Sequence, residues 1–185
     1  MLRKKVLCFL MTFALVVGFS GTSFAQQKTD DTANENSIKK ETLSAFENFK
    51  KEYPDAKIIY PSTSGFTALA PAPPLTAMWV DQVGSTNYGG WEYVRNKYTT
   101  TGDHGGAELY VYTYERGYAS SRLAQMNSGT LKQWDYQLID ENGDSIIDGF
   151  FIGWDACGYE SGQFTYQARS SNSPWNTMST WINIK

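Results

Sequence analysis

Soft metal ligands are scarce in this chain: 185 residues hold one histidine and two cysteines. His104 and Cys157 cannot build a zinc centre without recruiting several carboxylates. Charge is sparse as well. Only 19% of residues are charged and the formal net charge is −3, which argues against a general nucleic-acid binder. No uninterrupted apolar run has the length of a mature membrane span. Short catalytic signatures are missing too: there is no G-x-S-x-G, no H-E-x-x-H and no glycine-rich phosphate loop with its lysine. What the chain does hold is apolar and aromatic, at 41% and 15%. That is enough for one packed core, and it excludes full disorder and a collagen-like fibre.

The N-terminus joins a cationic Arg3-Lys4-Lys5 to an apolar Val6–Phe19 segment and a small-residue ending at Ala25. This pattern predicts a secretory signal peptide over residues 1–25 and an extracellular location. Three of the 16 basic residues leave with the signal, so 13 stand against 19 acidic residues, a formal charge of −6. Cys8 leaves as well. The mature chain keeps Cys157 alone, which rules out an internal disulfide and favours a buried thiol among Trp154, Ala156 and Tyr159.

Residues 26–37 are polar and read as a disordered leader. Residues 38–53 predict an amphipathic helix, with Ala45, Phe46 and Phe49 on one face and Lys39, Lys40, Glu47, Lys50 and Lys51 on the other, stopped by Pro54. Five of the six prolines lie between Pro54 and Pro74, so residues 54–73 read as a stiff linker. The helix is either a tether or a pro-segment removed after export. Residues 74–185 read as all-β, a single β-sandwich or small barrel of about seven strands. The runs are 75–83, 91–98, 108–114, 134–139, 146–154, 164–167 and 181–184, separated by Gly, Asn and Ser clusters. Residues 118–126 read as a short helix or a loop.

Alternation within the third run places Leu109, Val111 and Thr113 on the core face. Tyr110, Tyr112 and Tyr114 then form a ladder on the outer face or the wall of a groove. All six tryptophans fall after residue 75, and aromatics on a rigid sheet stack on sugar rings or anchor protein interfaces. Trp91, Tyr110, Tyr112 and Tyr114 are the expected ligand-binding residues.

Asp140-Glu141-Asn142-Gly143-Asp144-Ser145-Ile146-Ile147-Asp148 is the clearest local motif. Oxygen-bearing side chains at positions 1, 3, 5 and 9 of a loop suit calcium, which makes Asp140, Asn142, Asp144 and Asp148 the expected ligands. Ser145 replaces the usual turn glycine, and Phe151 stands where a closing acid is usual. Asn142-Gly143 also reads as a plain hairpin turn between two strands. A Cys157–His104 nucleophile pair, oriented by Asp103 or Asp155, is formally allowed, but no basic neighbour or helix N-terminus activates the thiol. Acids such as Asp81, Glu92, Glu115 and Asp135 are plentiful, yet no pair is placed across a cleft by the sequence.

Three stretches, Pro71–Thr76, Asn142–Asp144 through Asp148–Phe150, and Pro174–Thr180, together resemble the YolA-like family of small secreted proteins of Gram-positive bacteria, some of them prophage-encoded. The resemblance implies secretion and one β-rich domain, and brings no catalytic residues with it. The reading is therefore a secreted, non-enzymatic β-domain that binds a cell-wall glycan or a surface protein and is stabilised by calcium. A secreted toxin, bacteriocin-like factor or inhibitor with a removable front piece is the second reading. An extracellular hydrolase is the third.

Overall fold

The computed structural model describes residues 42–59 and 72–185. The signal-peptide and leader assignments, and most of the proline-rich linker, lie outside those residues. One helix, α1 (Thr42–Glu52), opens the described chain. Phe46, Phe49 and Tyr53 follow one another along one side, and Lys50 and Lys51 sit in the last turn, where cations complement the helix dipole. Pro54 ends the helix, and Ala56 N–H donates to Tyr53 O at 3.0 Å in the turn that follows.

Ten strands follow in two antiparallel sheets. They are β1 (Lys57–Ile59), β2 (Ala77–Ser85), β3 (Gly90–Tyr93), β4 (Leu109–Arg116), β5 (Ala119–Met126), β6 (Gly129–Thr130), β7 (Lys132–Asp140), β8 (Gly149–Asp155), β9 (Gly162–Ser170) and β10 (Thr177–Ile184). Six strands pair in the order β1-β7-β8-β4-β2-β3, and four in the order β10-β9-β5-β6. The all-β architecture is as the turn and strand signals indicate. Two short strands, β1 and β6, escaped the reading. So did β5, whose Ala, Arg, Leu, Gln and Met content favours helix; its pairing with β9 from Leu123↔Gln167 to Met126↔Phe164 overrides that preference. The run 91–98 ends early as a strand, at Tyr93, because Lys97 N–H closes a turn onto Val94 O at 2.8 Å.

The principal core lies between the sheets. Val83, Leu109, Val111, Met126, Ile152, Phe164, Tyr166 and Ile182 are each no more than 1% exposed in it. The acid of an ion pair is sealed in with them, while its arginine stays partly exposed. Glu115 is fully buried and bonds to Arg122, while Tyr166 O–H donates to its other oxygen at 2.7 Å. The Arg122 guanidinium lies 5.5 Å from the Phe150 ring centre.

A second, aromatic core forms on the opposite face of the six-stranded sheet. Here Phe46 and Phe49 of α1 pack on Tyr112, Tyr114, Ile139 and Phe151. Two glycines make room for its large rings. A Cβ at Gly84 would stand 2.5 Å from the Trp91 ring, and one at Gly153 would stand 2.7 Å from the Trp134 ring.

Candidate ligand-binding surface

The tyrosine ladder of β4 faces away from the principal core, as its alternation requires, but it is not open. Tyr110, Tyr112 and Tyr114 are 1%, 1% and 0% exposed. Of the two expectations, an outer-face ladder or the wall of a groove, neither leaves these tyrosines open to a ligand here: α1 lies over one end and three tryptophans over the rest. The Phe49 ring lies tilted 5.0 Å from Tyr114 and meets Phe151 edge-on at 4.9 Å. Trp79 lies 4.7 Å from Tyr114, Trp91 5.1 Å from Tyr112, and Trp134 5.1 Å from Tyr110. The phenols also carry polar partners. Tyr112 O–H donates to Asp135 and Tyr114 O–H to Glu141, each at 2.5 Å. Burial, reinforced by these carboxylates, pushes both phenols well above the ordinary value. Trp91 is half-buried, and its indole N–H meets no hydrogen-bond acceptor.

The open aromatic surface lies elsewhere. Tyr98 and Trp181 are 72% and 41% exposed, with ring centres 5.3 Å apart and planes inclined by 34°. Trp181 stands on the outward face of β10 with Thr177, Ser179 and Asn183. Tyr98 comes from the loop after β3, and the backbone sews that loop to the strand. Asn183 N–H donates to Tyr98 O at 3.0 Å, and Thr100 N–H donates to Asn183 O at 2.9 Å. Lys185 N–H donates to Thr100 Oγ1 at 3.1 Å. The platform thus joins two segments more than eighty residues apart.

A buried polar network braces the loop from behind. Glu92, 5% exposed, accepts from Lys97 Nζ and Thr101 N–H at 2.9 Å and from Gly102 N–H at 3.1 Å. His104 Nε2 lies 3.0 Å from the same carboxylate. Burial alone would raise the Glu92 pKa, but the Thr101, Gly102, Lys97 and His104 donors outweigh it and hold it at about 2. Burial lowers His104 below its ordinary value, so the ring is neutral at pH 7. Against an ionised Glu92 the neutral ring must carry its proton on Nε2. Nδ1 then accepts from Ser85 O–H at 3.2 Å, and Ser85 Oγ in turn accepts from Tyr88 N–H at 3.1 Å. Tyr88 stacks on the imidazole at 4.4 Å.

Ser85, His104 and Glu92 have the residue types of a nucleophile relay, but Ser85 and His104 are fully buried and each group is used internally. The arrangement is a strut. Sequence reasoning left His104 as a loop residue and did not join it to Ser85 or Glu92. It also missed the Tyr98–Trp181 pair, although the alternation of polar Ser179, Trp181 and Asn183 with Ile182 and Ile184 carried half of that signal.

The Asp140–Asp148 loop is held by its own backbone. Asp140 Oδ1 accepts from Gly143 N–H at 2.6 Å and Oδ2 from Ser145 N–H at 2.7 Å. Asn142 accepts from Asp144 N–H at 3.0 Å, Asp144 from Ile146 N–H at 2.8 Å, and Asp148 from Glu141 N–H at 2.8 Å. Ser145 takes the left-handed turn, φ 71°, that a glycine would adopt more readily. Burial raises the Asp148 carboxyl, with the charges of Glu141, Asp144 and Asp140 adding to the rise. Among the described residues no three His, Cys, Asp or Glu side chains are gathered for a metal ion.

Cys157 is half-buried, its Sγ 3.7 Å from Leu109 O, and burial pushes the thiol up rather than down. Both His104 nitrogens are engaged elsewhere, so the thiol has no imidazole base.

Residues 70–184 match the family model DUF4879, a domain of unknown function. The chain belongs to that family. The match spans β2 to β10 and leaves out α1 and β1. No curated protein and no solved structure matches the chain. Nothing in these comparisons bears on the resemblance to YolA-like proteins.

Proposed function

We propose that this DUF4879 protein is a secreted, non-enzymatic binding domain that takes a cell-wall glycan on the Tyr98–Trp181 platform. The observation that carries the reading is a pair of adjacent, exposed aromatic rings fixed to a sheet by backbone hydrogen bonds. Rigid rings lose little freedom on contact with a sugar face, and polar neighbours such as Ser179 and Asn183 supply hydrogen-bonding groups to hydroxyls. Calcium at Asp140, Asn142, Asp144 and Asp148 belongs to the proposal on the strength of the loop sequence. Its role there would be to stiffen the β7–β8 connection, not to do chemistry. The resemblance to YolA-like proteins agrees with a secreted setting.

Co-sedimentation with isolated bacterial cell walls tests the reading. Residues 26–185 are expected to pellet with the walls. Tyr98→Ala and Trp181→Ala should each weaken pelleting about tenfold, since an aromatic contact contributes ~1 kcal/mol or a little more. A protein that stays in the supernatant with every wall preparation would remove the glycan reading.

A further inference from the structure

We infer that the segment 42–59 is a detachable intramolecular ligand, and that the face it covers is a docking groove for an amphipathic helix of its kind. This stands apart from the glycan platform and uses the other sheet.

Four observations converge on it. The family match begins at residue 70, so the covering segment lies outside the shared domain. The principal core between the sheets draws none of its buried side chains from residues 42–59; only Ile59, half-buried on the short edge strand β1, packs against it. The helix meets the domain as a bound peptide would. Phe46, Phe49 and Tyr53, at i, i+3 and i+7, lie on an aromatic floor of Trp79, Tyr114 and Phe151. Its C-terminal end is clasped by two arginines of the domain: Arg95 pairs with Glu52, and Tyr53 Oη accepts from Arg95 at 3.4 Å and from Arg116 at 3.3 Å. Finally, the joining sequence carries Pro61, Pro71, Pro73 and Pro74, residues that resist continuing either helix or sheet across the junction.

An 11-residue helix is marginal in water by itself, so α1 owes its helicity to this face. Release would unfold it and uncover the groove in one step. The Trp91 indole N–H, buried without an acceptor at the edge of the floor, is a polar group that α1 leaves unused. The occupant is the segment itself, in cis before release and in trans afterwards, which gives the test its probe.

The experiment starts from the full secreted chain, residues 26–185, with a specific protease site placed between residues 61 and 70. After cutting, a fluorescent synthetic peptide of residues 38–60 is added and its exchange into the domain is followed by anisotropy, while tryptophan fluorescence and urea unfolding report the fold. The expected result is saturable one-to-one exchange of the labelled peptide into a domain that still unfolds cooperatively. A Phe49→Ala peptide should bind at least tenfold more weakly. Three results would overturn the inference: loss of cooperative unfolding once the fragment leaves, no exchange into a domain that remains folded, or equal binding of the wild-type and Phe49→Ala peptides. Wall binding through Tyr98 and Trp181 is measured separately on the uncut chain, so failure of either proposal is distinguishable from failure of the other.

Discussion

Replacing Glu92 by glutamine tests the brace behind the aromatic platform in a way that pH resolves. The carboxylate is 5% exposed and receives donors from Lys97, Thr101, Gly102 and His104. Its pKa falls from the ordinary 4.5 to about 2 in the folded protein. At ~1.4 kcal/mol per tenfold, that gap corresponds to about 3 kcal/mol. The sign follows from which state binds the proton more readily. Between pH 4.5 and 2 the unfolded chain protonates Glu92 and the folded chain does not. The stabilisation is therefore fully present above pH 4.5 and is lost as pH falls towards 2. Glutamine removes the charge and turns an amide donor towards Lys97 or His104, so Glu92→Gln should be less stable by about 3 kcal/mol at pH 7. The part of the gap owed to the Glu92 charge should close steadily as pH falls from 4.5 towards 2. Asp81, raised by burial to about 6, gains stability on acidification between 6 and 3.8, but it is present in both proteins and cancels in the comparison. The assay is urea unfolding followed by tryptophan fluorescence at pH 7, 5, 4, 3 and 2.5. A gap of the same size at pH 7 and pH 2.5 would refute the argument, because an ionised, multiply bonded carboxylate cannot behave that way.

Other expectations rest on single contacts. Arg122→Leu leaves the fully buried Glu115 without its cationic partner and should cost about 3–5 kcal/mol, read as a fall in the urea midpoint; a loss under 1 kcal/mol would count against the Arg122–Glu115 pair as a support of the core. Ser145→Gly relieves the left-handed backbone at φ 71° and should raise stability by up to about 1 kcal/mol, measured by thermal unfolding; an unchanged or lower midpoint counts against strain at that turn. Millimolar calcium should raise the melting temperature by a few degrees relative to EDTA, and Asp144→Ala, at an exposed loop position, should abolish the difference. Identical melting in the two buffers would end the calcium reading.

Much of the sheet was legible because its strands are rich in aromatic and β-branched residues and, in β4, alternate aliphatic with aromatic side chains. In β4 the alternation of Leu109, Val111 and Thr113 with the three tyrosines sorted the two faces correctly, and each of the seven runs named from composition overlaps a strand, although 94–98 and 146–148 lie outside one. Local composition failed where distant partners decide. The residues of β5 prefer helix until β9 pairs with them, and β1 is three residues hidden beside a proline-rich stretch. The candidate site was less legible for the same reason. Which aromatic face is covered depends on α1 docking some sixty residues away from β4. The Tyr98–Trp181 platform exists only because a loop is sewn to a strand near the other end of the domain. The strut of Ser85, Glu92 and His104 likewise joins three segments with no shared motif.

The sewing of that loop to β10 also bears on how the molecule behaves in a crowd of its own copies. In the four-stranded sheet β10 is an outer strand, paired through the ladder only with β9. Such a strand offers amides and carbonyls to any neighbour that arrives extended. Here the amide and carbonyl of Asn183 are taken by Tyr98 and Thr100, and those of Lys185 by Thr100 and His104. The C-terminal half of the edge is thereby closed to strand addition from outside. A chain whose 94–104 loop has come loose would regain that template, and its first symptom would be self-association rather than unfolding.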